Sequence, residues 1–386
     1  MGTDFTARYN YNFPTSIRFG KGVIDELGKH LADQGLSRPL VVTDPGLVKL
    51  EVFQKVMTLL KTAGLNPEVF SGIDKNPVKS NVLKGADVYK THRADSIVGF
   101  GGGASMDVAR AIALRINHTK DLFEYDDAIG GDRFVTEDVP YFVTVPTTSG
   151  TGSEVGRSTV IADDVTHEKK ILFSPKLLAK KVFADPELTM GLPAFVTATT
   201  GIDALTHNVE AYLAKGFSPL CDGIALEGIR LISQSLERAT NNSDLESRSK
   251  MMMASLMGAT AFQKGLGIVH SLAHPLSTVV DMHHGLANAI MIPYGMEFNA
   301  QVSEERMKTI CEVIGLKDRS SRSFISWLQE LNAKIGIPKD LSSQKVTKEH
   351  LARLADLAEK DPCHPSNPRP VTRADFLAIY QKALGA

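Results

Sequence analysis

One aspartate and several histidines in the second half of the chain have the types and spacing of metal ligands. Asp203 and His207 are four residues apart, and His270 and His274 repeat that spacing. Residues four apart lie on one face of a helix, so each pair can reach a single ion. His284 follows ten residues after His274. One carboxylate with three imidazoles suits a divalent metal, and these residue types alone admit iron, zinc, cobalt or manganese.

The spacing leaves the choice of the last histidine open. His283 directly precedes His284, and either ring could complete the set. A single histidine would be explained as well by a structural role. Two pairs at helical spacing favour a metal site instead.

Two polar turns follow apolar, strand-like runs and have the composition of phosphate-binding loops. The first is GFGGGASMD at residues 99–107, followed by the helix-like stretch Val108–Arg115. Adjacent glycines let the backbone approach a bulky anion, which the free N–H groups of a helix N-terminus can bind. The second is TTSGTGSE at residues 147–154, whose hydroxyls suit phosphate and ribose. The first segment departs from the GxGxxG spacing of the usual dinucleotide fingerprint. Each segment alone could be an ordinary turn, but the two together favour a dinucleotide-binding site.

A carboxylate follows the first strand-like run, Pro39–Thr43. Asp44 could accept hydrogen bonds from an adenosine ribose and would repel a 2′-phosphate, which favours NAD(H) over NADP(H). It could equally initiate a turn before Pro45. The sequence leaves both roles open.

The elements that would position these residues differ between the two halves. In the first half, the strand-like runs Pro39–Thr43, Ser96–Phe100 and Tyr141–Val145 alternate with helix-like stretches. Such alternation predicts a parallel sheet with helices on both faces. Ser158–Ile161 and Lys170–Phe173 flank a polar turn and predict a short hairpin.

From about Pro193 onward, helical periodicity replaces the β-branched runs. Apolar residues at spacings of three and four predict helices at Ala198–Ala214, Gly223–Ala239, Leu245–Phe262, Phe324–Gly336 and Ala374–Leu384. A chain of 386 residues exceeds the usual size of one core. The fold class predicted is therefore α/β plus all-α: a Rossmann-like dinucleotide-binding domain over residues 1–192, then an all-helical metal-binding and substrate domain over residues 193–386. A ligand cleft between the two is expected.

Composition and charge exclude several classes of protein. Hydrophobic residues make up 43 % and charged residues 23 %, which excludes a disordered chain. The formal net charge is −1 and no basic block occurs. The chain thus lacks the cluster of positive charge that is typical of proteins that bind nucleic acid or anionic membranes. No apolar run reaches 18 residues, and the first residues lack a secretion signal. Cys221, Cys311 and Cys363 are scattered and fit reduced thiols, so we expect a cytoplasmic protein.

Five segments in order carry a family resemblance. They are GGGASMDVA, TTSGTGSE, GIDALTHNVEAY, GLGIVHSLAHPL and HHGLANAIM, and with them the chain resembles the iron-containing (group III) alcohol dehydrogenases. The resemblance extends over nearly the whole chain, because it includes FPT and FG at residues 13–15 and 19–20 and DPC and NPR at residues 361–363 and 367–369. The resemblance implies a dehydroquinate synthase-like architecture and NAD(P)-linked interconversion of an alcohol and a carbonyl.

The resemblance also implies roles for individual residues. The implied metal ligands are Asp203, His207, His270 and His284. His284 is preferred to His283 because the family histidine directly precedes the glycine of HGLAN. His274 matches a histidine that lies near the metal without binding it, and we assign it the catalytic role. The cofactor contacts expected are Asp44, Asn76, Gly102, Gly103, Ala104, Ser105, Thr147, Thr148, Thr151 and Lys169.

The mechanism implied is metal-assisted hydride transfer, with His274 or a water chain relaying the proton. The expected cofactors are NAD(H), with NADP(H) disfavoured, and one divalent metal, Fe²⁺ before Zn²⁺. The expected partner is a small alcohol or aldehyde, and a homodimer or larger homo-oligomer is expected. The alternatives are a metal-free maleylacetate reductase-like enzyme, a glycerol dehydrogenase-like zinc enzyme, and a dehydroquinate synthase-like cyclase, whose site would need more lysine and arginine than these motifs hold.

Three residues depart from the family pattern. Ala104 stands where a serine is usual, so Ser105 could take over a phosphate contact. Arg157 and Lys264 replace smaller or neutral residues on segments expected to border the substrate cleft. They could point into solvent, as most cationic side chains do, or face an anionic group of the substrate.

Overall fold

The computed structural model describes residues 15–385, which form two compact units. The first consists of residues 15–148 and 152–191, and the second of residues 149–151 and 192–385. None of the described helices is both long enough and apolar enough to cross a membrane.

A six-stranded sheet forms the centre of the first unit. Its strands are β1 (Ser16–Phe19), β2 (Pro39–Val42), β3 (Glu68–Phe70), β4 (Ser96–Gly101), β5 (Tyr141–Pro146) and β8 (Lys181–Ala184). They lie in the order β1-β8-β5-β4-β2-β3, and every neighbouring pair is parallel. A separate antiparallel hairpin consists of β6 (Ser158–Ala162) and β7 (Lys169–Phe173). The predicted parallel sheet and hairpin are confirmed.

Four helices cover the two faces of this sheet. They are α1 (Leu27–Asp33), α2 (Glu51–Thr62), α3 (Lys79–His92) and α4 (Gly103–Asn117). Side chains alternate between the faces of a strand. In β2, Val41 packs in the cluster that contains residues of α1 and α2, whereas Leu40 and Val42 pack with residues of α3 and α4. Burial on both faces explains why the central strands read as continuous apolar runs.

All regular secondary structure among the described residues of the second unit is helical. Its helices are α5 (Ala194–Leu213), α6 (Pro219–Asn241), α7 (Leu245–Ala261), α8 (Ile268–Val280), α9 (His284–Val313), α10 (Ser321–Lys334), α11 (Leu351–Glu359) and α12 (Arg373–Leu384). Sixteen of the 20 residues of α5 are buried, so other elements surround this helix on all sides. The predicted all-helical second half is confirmed.

The longest helix, α9, was not among the predicted helices. It spans 30 residues and contains Pro293, which removes a backbone donor and normally interrupts a helix. The missing N–H would have bonded the carbonyl of Ala289. That carbonyl instead accepts a hydrogen bond from Asn332 Nδ2 on α10, at 2.6 Å. A side chain distant in sequence thus compensates for the proline.

Gly285 lets α9 begin close against α5. A Cβ at this position would lie 2.4 Å from the carbonyl oxygen of Thr199 on α5. No larger residue fits that space without moving one of the helices. The first residue of α9, His284, is therefore held next to the middle of α5.

Candidate metal and nucleotide sites

Asp203, His270 and His284 bring ligand atoms together inside the helical unit. One ligand atom from each lies within 4.8 Å of the others. Asp203 Oδ1 is 3.4 Å from His284 Nε2 and 3.8 Å from His270 Nε2. Two ligands bound at about 2.1 Å and separated by a tetrahedral angle lie about 3.4 Å apart. The spacing of these three residues therefore fits a divalent transition metal.

The ligand group comes from three different helices. Asp203 lies in the middle of α5, His270 in the first turn of α8, and His284 at the start of α9. The close approach at Gly285 brings the last of these to the first. A pattern within one helix could predict a pair of ligands, but the third depends on helix packing.

Hydrogen bonds fix which nitrogen of each ring is available. His270 Nδ1 donates to Glu210 Oε2 at 2.6 Å, and His207 Nδ1 donates to the carbonyl oxygen of Gly150 at 3.3 Å. Each ring thus keeps its proton on Nδ1 and presents an Nε2 lone pair. Burial lowers the pKa of His207 and of His270 to about 4, so both rings are neutral at pH 7. Neutral imidazole is the form that binds metals.

Asn288 is a polar neighbour of this group that the sequence analysis did not single out. Its Nδ2 donates to Asp203 Oδ1 at 2.7 Å and lies 3.1 Å from His284 Nε2. Burial opposes ionisation of Asp203, but the imidazoles of His207 and His284 lower the pKa of this carboxyl below its usual range. Asn288 lies four residues after His284, in the HGLAN segment, and that helical spacing was the available signal.

His207 and His283 lie outside the three-residue group. The His207 ring stacks on that of His270, with centroids 4.7 Å apart. His283 packs its ring edge-on against Phe195, with centroids 6.1 Å apart.

His274 lies beside the group and bonds a carboxylate of its own. Its Nδ1 donates to Asp361 Oδ2 at 2.6 Å, and its ring stacks on that of His284 with centroids 5.2 Å apart. Asp361 Oδ1 accepts from Ser271 Oγ at 2.7 Å and from Cys363 N at 2.9 Å. The nearby His274 outweighs burial and lowers the pKa of Asp361. An ionised Asp361 keeps the His274 proton on Nδ1 and leaves Nε2 as the nitrogen that can exchange one.

The group is accessible from one side. The side chains of His270 and Asp203 are 2 % and 3 % exposed, whereas those of His284 and His274 are each 31 % exposed. A small molecule would therefore reach the ligand group past His284 and His274.

In the α/β unit, the carboxyl ends of β2, β4 and β5 lie at one edge of the sheet. β3 lies on one side of β2 and β4 on the other, so the strand order reverses between β2 and β4. Ligands of open α/β sheets bind at such a reversal. Gly102 precedes the first turn of α4, and a Cβ there would lie 3.5 Å from the side chain of Thr148. The N–H of Thr147 bonds the carbonyl of Gly101 at 3.0 Å, so the two predicted loops are neighbours.

Asp44 occupies the same edge, next to the strand reversal. Its Oδ1 accepts from the N–H groups of Gly46 and Leu47 at 2.9 and 3.0 Å, so it does stabilise a turn. Oδ2 makes no hydrogen bond with the described residues and is free to accept one from a ribose.

The remaining predicted cofactor contacts fall into two places. Ser105 is buried under the glycine turn, where a Cβ on Gly101 would lie 2.6 Å from its Oγ. Lys169 pairs with Ala162 in the hairpin, and Val78, two residues after Asn76, bridges to the same Ala162. Asn76 and Lys169 are thus near each other in the fold. Ala104 lies in the first turn of α4, and Thr151 belongs to the helical unit.

Arg110 supports the second loop from below and was not predicted. Its side chain is fully buried and donates to Ser153 Oγ at 2.9 Å and to the carbonyl of Ser158 at 2.8 Å. It also bonds the carbonyl of Ser153 and, at 3.2 Å, Asp107 Oδ1. Glu154 nearby is buried too, and burial raises its pKa to about 7. An Asp–Arg pair three residues apart in an otherwise apolar helix was the available signal.

The structure contradicts both expected positions of Lys264, in solvent and facing an anionic group of the substrate. Its side chain is 1 % exposed, and its Nζ donates to Asp222 Oδ1 at 2.5 Å and to the carbonyl of Tyr212 at 2.8 Å. Arg306 joins the same carboxylate at 2.8 Å. Lys264 therefore points neither into solvent nor toward a substrate. Arg157, in the α/β unit, lies over the ring of Phe173 at 5.4 Å.

Comparison with known proteins shows which family the chain resembles over nearly its whole length. A family model for iron-containing alcohol dehydrogenases matches residues 14–186, and one for the C-terminal part of the Fe-containing alcohol dehydrogenase family matches residues 197–384. A 4-hydroxybutyrate dehydrogenase of Cupriavidus necator is 37 % identical over 381 residues, covering 96 % of this chain and 98 % of the relative. The crystal structure of a 1,3-propanediol oxidoreductase has a TM-score of 0.94 at 35 % identity, covering 98 % and 100 % of the two chains. A sulfoacetaldehyde reductase from Bifidobacterium kashiwanohense, solved with NAD⁺, has a TM-score of 0.89 at 26 % identity, covering 98 % and 100 %.

Proposed function

Because the chain belongs to the iron-containing alcohol dehydrogenase family, and is thus an NAD-linked, metal-dependent alcohol dehydrogenase, we propose how its residues carry out that activity and on which substrates. Asp203, His207, His270 and His284 hold the metal. The observation that carries this assignment is the convergence of a carboxylate oxygen with two imidazole Nε2 atoms at 3.4 and 3.8 Å. His207 completes the set from the ring stacked on His270.

The metal, when bound, supplies Lewis-acid polarisation of the substrate oxygen, and the nicotinamide supplies the hydride chemistry. The side chains of the chain orient the metal-binding rings and transfer the substrate proton. Glu210 and the carbonyl of Gly150 keep protons on the Nδ1 atoms of His270 and His207. His274 accepts the alcohol proton at Nε2 and returns it in the reverse direction, while Asp361 stabilises the imidazolium that forms.

The nucleotide binds at the carboxyl edge of the sheet. The first turn of α4 offers the free N–H groups of Gly103, Ala104 and Ser105 to the pyrophosphate, with Gly102 giving the backbone room. The hydroxyls of Thr147, Thr148 and Thr151 take further contacts, as do Asn76 and Lys169. Asp44 Oδ2 binds the adenosine ribose, so NAD(H) is preferred.

We propose that the substrate is a primary alcohol of three or four carbons with a second oxygen function at its far end. Two similar proteins are a 4-hydroxybutyrate dehydrogenase and a 1,3-propanediol oxidoreductase, and the substrates in their names share that pattern. The partly exposed rings of His284 and His274 leave the ligand group open to such a substrate. kcat/KM should be higher for 3-hydroxypropanal and succinic semialdehyde than for butanal, and a preference for butanal over both contradicts this substrate class.

The ligand assignment is tested with adjacent histidines. His284→Ala should lose the metal and turnover but still bind NADH, because the glycine turn lies in the other unit. His283→Ala is the matched control and should keep the metal. Metal content by mass spectrometry and NADH binding by fluorescence measure both. The reverse pattern, with metal lost only from His283→Ala, would show that the assignment is wrong.

A cytoplasmic location and a homodimer or larger homo-oligomer remain predictions. Cell fractionation and light scattering on the purified protein would measure them.

A further inference from the structure

Glu210 is a buried carboxylate on the same helix face as two of the proposed ligands. It lies three residues after His207 and seven after Asp203 on α5, and residues at these spacings share a face. Its side chain is 1 % exposed. A carboxylate is rarely buried so completely without partners that justify its position.

The two oxygens of Glu210 have different partners, both on the next ligand helix. Oε2 accepts from His270 Nδ1 and Oε1 accepts from the N–H of Val269, each at 2.6 Å. The neighbouring N–H of Ile268 bonds Asn367 Oδ1 at 3.2 Å. Together these acceptors occupy donors of the first turn of α8, where a negative charge is favourable.

Gly267 makes this approach possible. A Cβ on this residue would lie 2.9 Å from Glu210 Oε1, so a side chain would push the carboxylate away from α8. The glycine directly before the helix and the glutamate on α5 therefore act as one arrangement.

We infer that Glu210 is a positioning residue for the metal. By accepting the Nδ1 proton of His270 while it holds the N–H of Val269, it fixes both the tautomer and the orientation of the ring, so that Nε2 faces Asp203. The inference rests on the proposed function, because it assumes that His270 is a ligand. Partners of this kind raise metal affinity by about 10–100-fold.

A purely structural role would give a different response to Glu210→Gln. The two donors face different oxygens of Glu210, and an amide replaces one of these oxygens by an NH₂ group, so in this geometry it can accept from His270 or from Val269 but not from both. If it presents its NH₂ to His270, the ring must move its proton to Nε2 and can no longer bind a metal. Glu154→Gln is the matched control, because Glu154 is also a buried glutamate but lies in the α/β unit.

The test measures Zn²⁺ and Co²⁺ affinity of the chelator-stripped full-length protein by competition with a chromogenic chelator. Glu210→Gln should weaken both dissociation constants by about 10–100-fold and change the visible spectrum of bound Co²⁺. Glu154→Gln should bind both ions as the unmodified protein does. The melting temperature of each stripped variant separates metal affinity from stability.

If Glu210→Gln does not fold, Glu210→Asp is the variant used for the same measurement of metal affinity. It keeps the charge but is one methylene shorter, so it reaches only one of the two donors, and the same loss of affinity is expected. Unmodified affinity in either folded variant overturns the inference. If instead His284→Ala binds Zn²⁺ as tightly as the unmodified protein, the proposed ligand set itself is wrong, which is a separate result.

Discussion

Replacing Lys264 by methionine should destabilise the helical unit and leave substrate preference unchanged. Methionine keeps most of the apolar stem but removes the ammonium group, which is 2.5 Å from Asp222 and 2.8 Å from the carbonyl of Tyr212. Burial lowers the pKa of Lys264, so its charge depends on these partners. The side chain has no open face from which a substrate could reach it.

The expected loss of unfolding free energy depends on which hydrogen bonds Asp222 and the Tyr212 carbonyl keep without Lys264. Removing one member of a fully buried ion pair costs about 3–5 kcal/mol. Asp222 is 24 % exposed and still bonds Arg306, which also bonds the Tyr212 carbonyl, so we expect a smaller loss, about 2–3 kcal/mol. For a unit of this size, that corresponds to a fall of about 4–12 °C in melting temperature.

The control is Lys308→Met, which changes the net charge equally. Lys308 pairs with Glu305 on the surface, where both side chains are well exposed. Such a pair contributes less than about 1 kcal/mol. Calorimetry should separate the two variants, and both should keep the unmodified ratio of kcat/KM for succinic semialdehyde over butanal. Equal melting temperatures, or a selective loss of activity on the anionic aldehyde in Lys264→Met, would refute this account.

Two further predictions concern the α/β unit. The unmodified enzyme should prefer NADH to NADPH by roughly tenfold to a hundredfold in kcat/KM, because a carboxylate near a 2′-phosphate costs about 1–3 kcal/mol. Asp44→Asn should reduce this preference, while its Oδ1 still accepts hydrogen bonds from the N–H groups of Gly46 and Leu47. Equal kcat/KM for both cofactors in the unmodified enzyme would contradict the ribose role of Asp44. Burial raises the pKa of Glu154 from 4.5 to about 7, so the folded state keeps a proton that the unfolded state releases. The contribution of this one group to stability should therefore fall by roughly 3 kcal/mol as pH rises from about 4.5 to about 7, and denaturant titrations should find that contribution missing when Glu154→Gln is compared with the unmodified protein.

Residues whose role depends on local pattern could be predicted from the sequence. Strands such as Ser96–Gly101 read as apolar runs because both of their faces are buried. The pair Asp203 and His207 follows from helical spacing, and the glycine turn before α4 follows from composition. The short strands β1, β3 and β8 could not be predicted, because each has only three or four residues and, unlike β2, contains a charged residue that interrupts the apolar run.

Roles that depend on distant partners could not be predicted. Pro293 indicates a helix end, whereas in the structure α9 continues and Asn332 Nδ2 bonds the carbonyl that the proline leaves without its helical donor. Lys264 looks like any surface lysine in the sequence, because Asp222 and Arg306 are 42 positions away on each side. Glu210 reads as one more polar residue of a helix until α8 is packed against it. In each case the deciding contact joins segments that no local pattern relates.

The burial of α5 has a consequence for how the enzyme takes up its ion. Its apolar residues Ile202, Leu205 and Val209 are fully enclosed by the core of the helical unit. Apolar packing thus sets the backbone that carries Asp203 and His207, in contrast to small zinc domains, where metal-binding energy is folding energy. The packing of the helical bundle holds the ligand residues in place, so ions can be exchanged without refolding the chain. Which ion a purified sample contains then depends on supply and on the intrinsic affinity order of divalent metals, with copper and zinc competing strongly against iron.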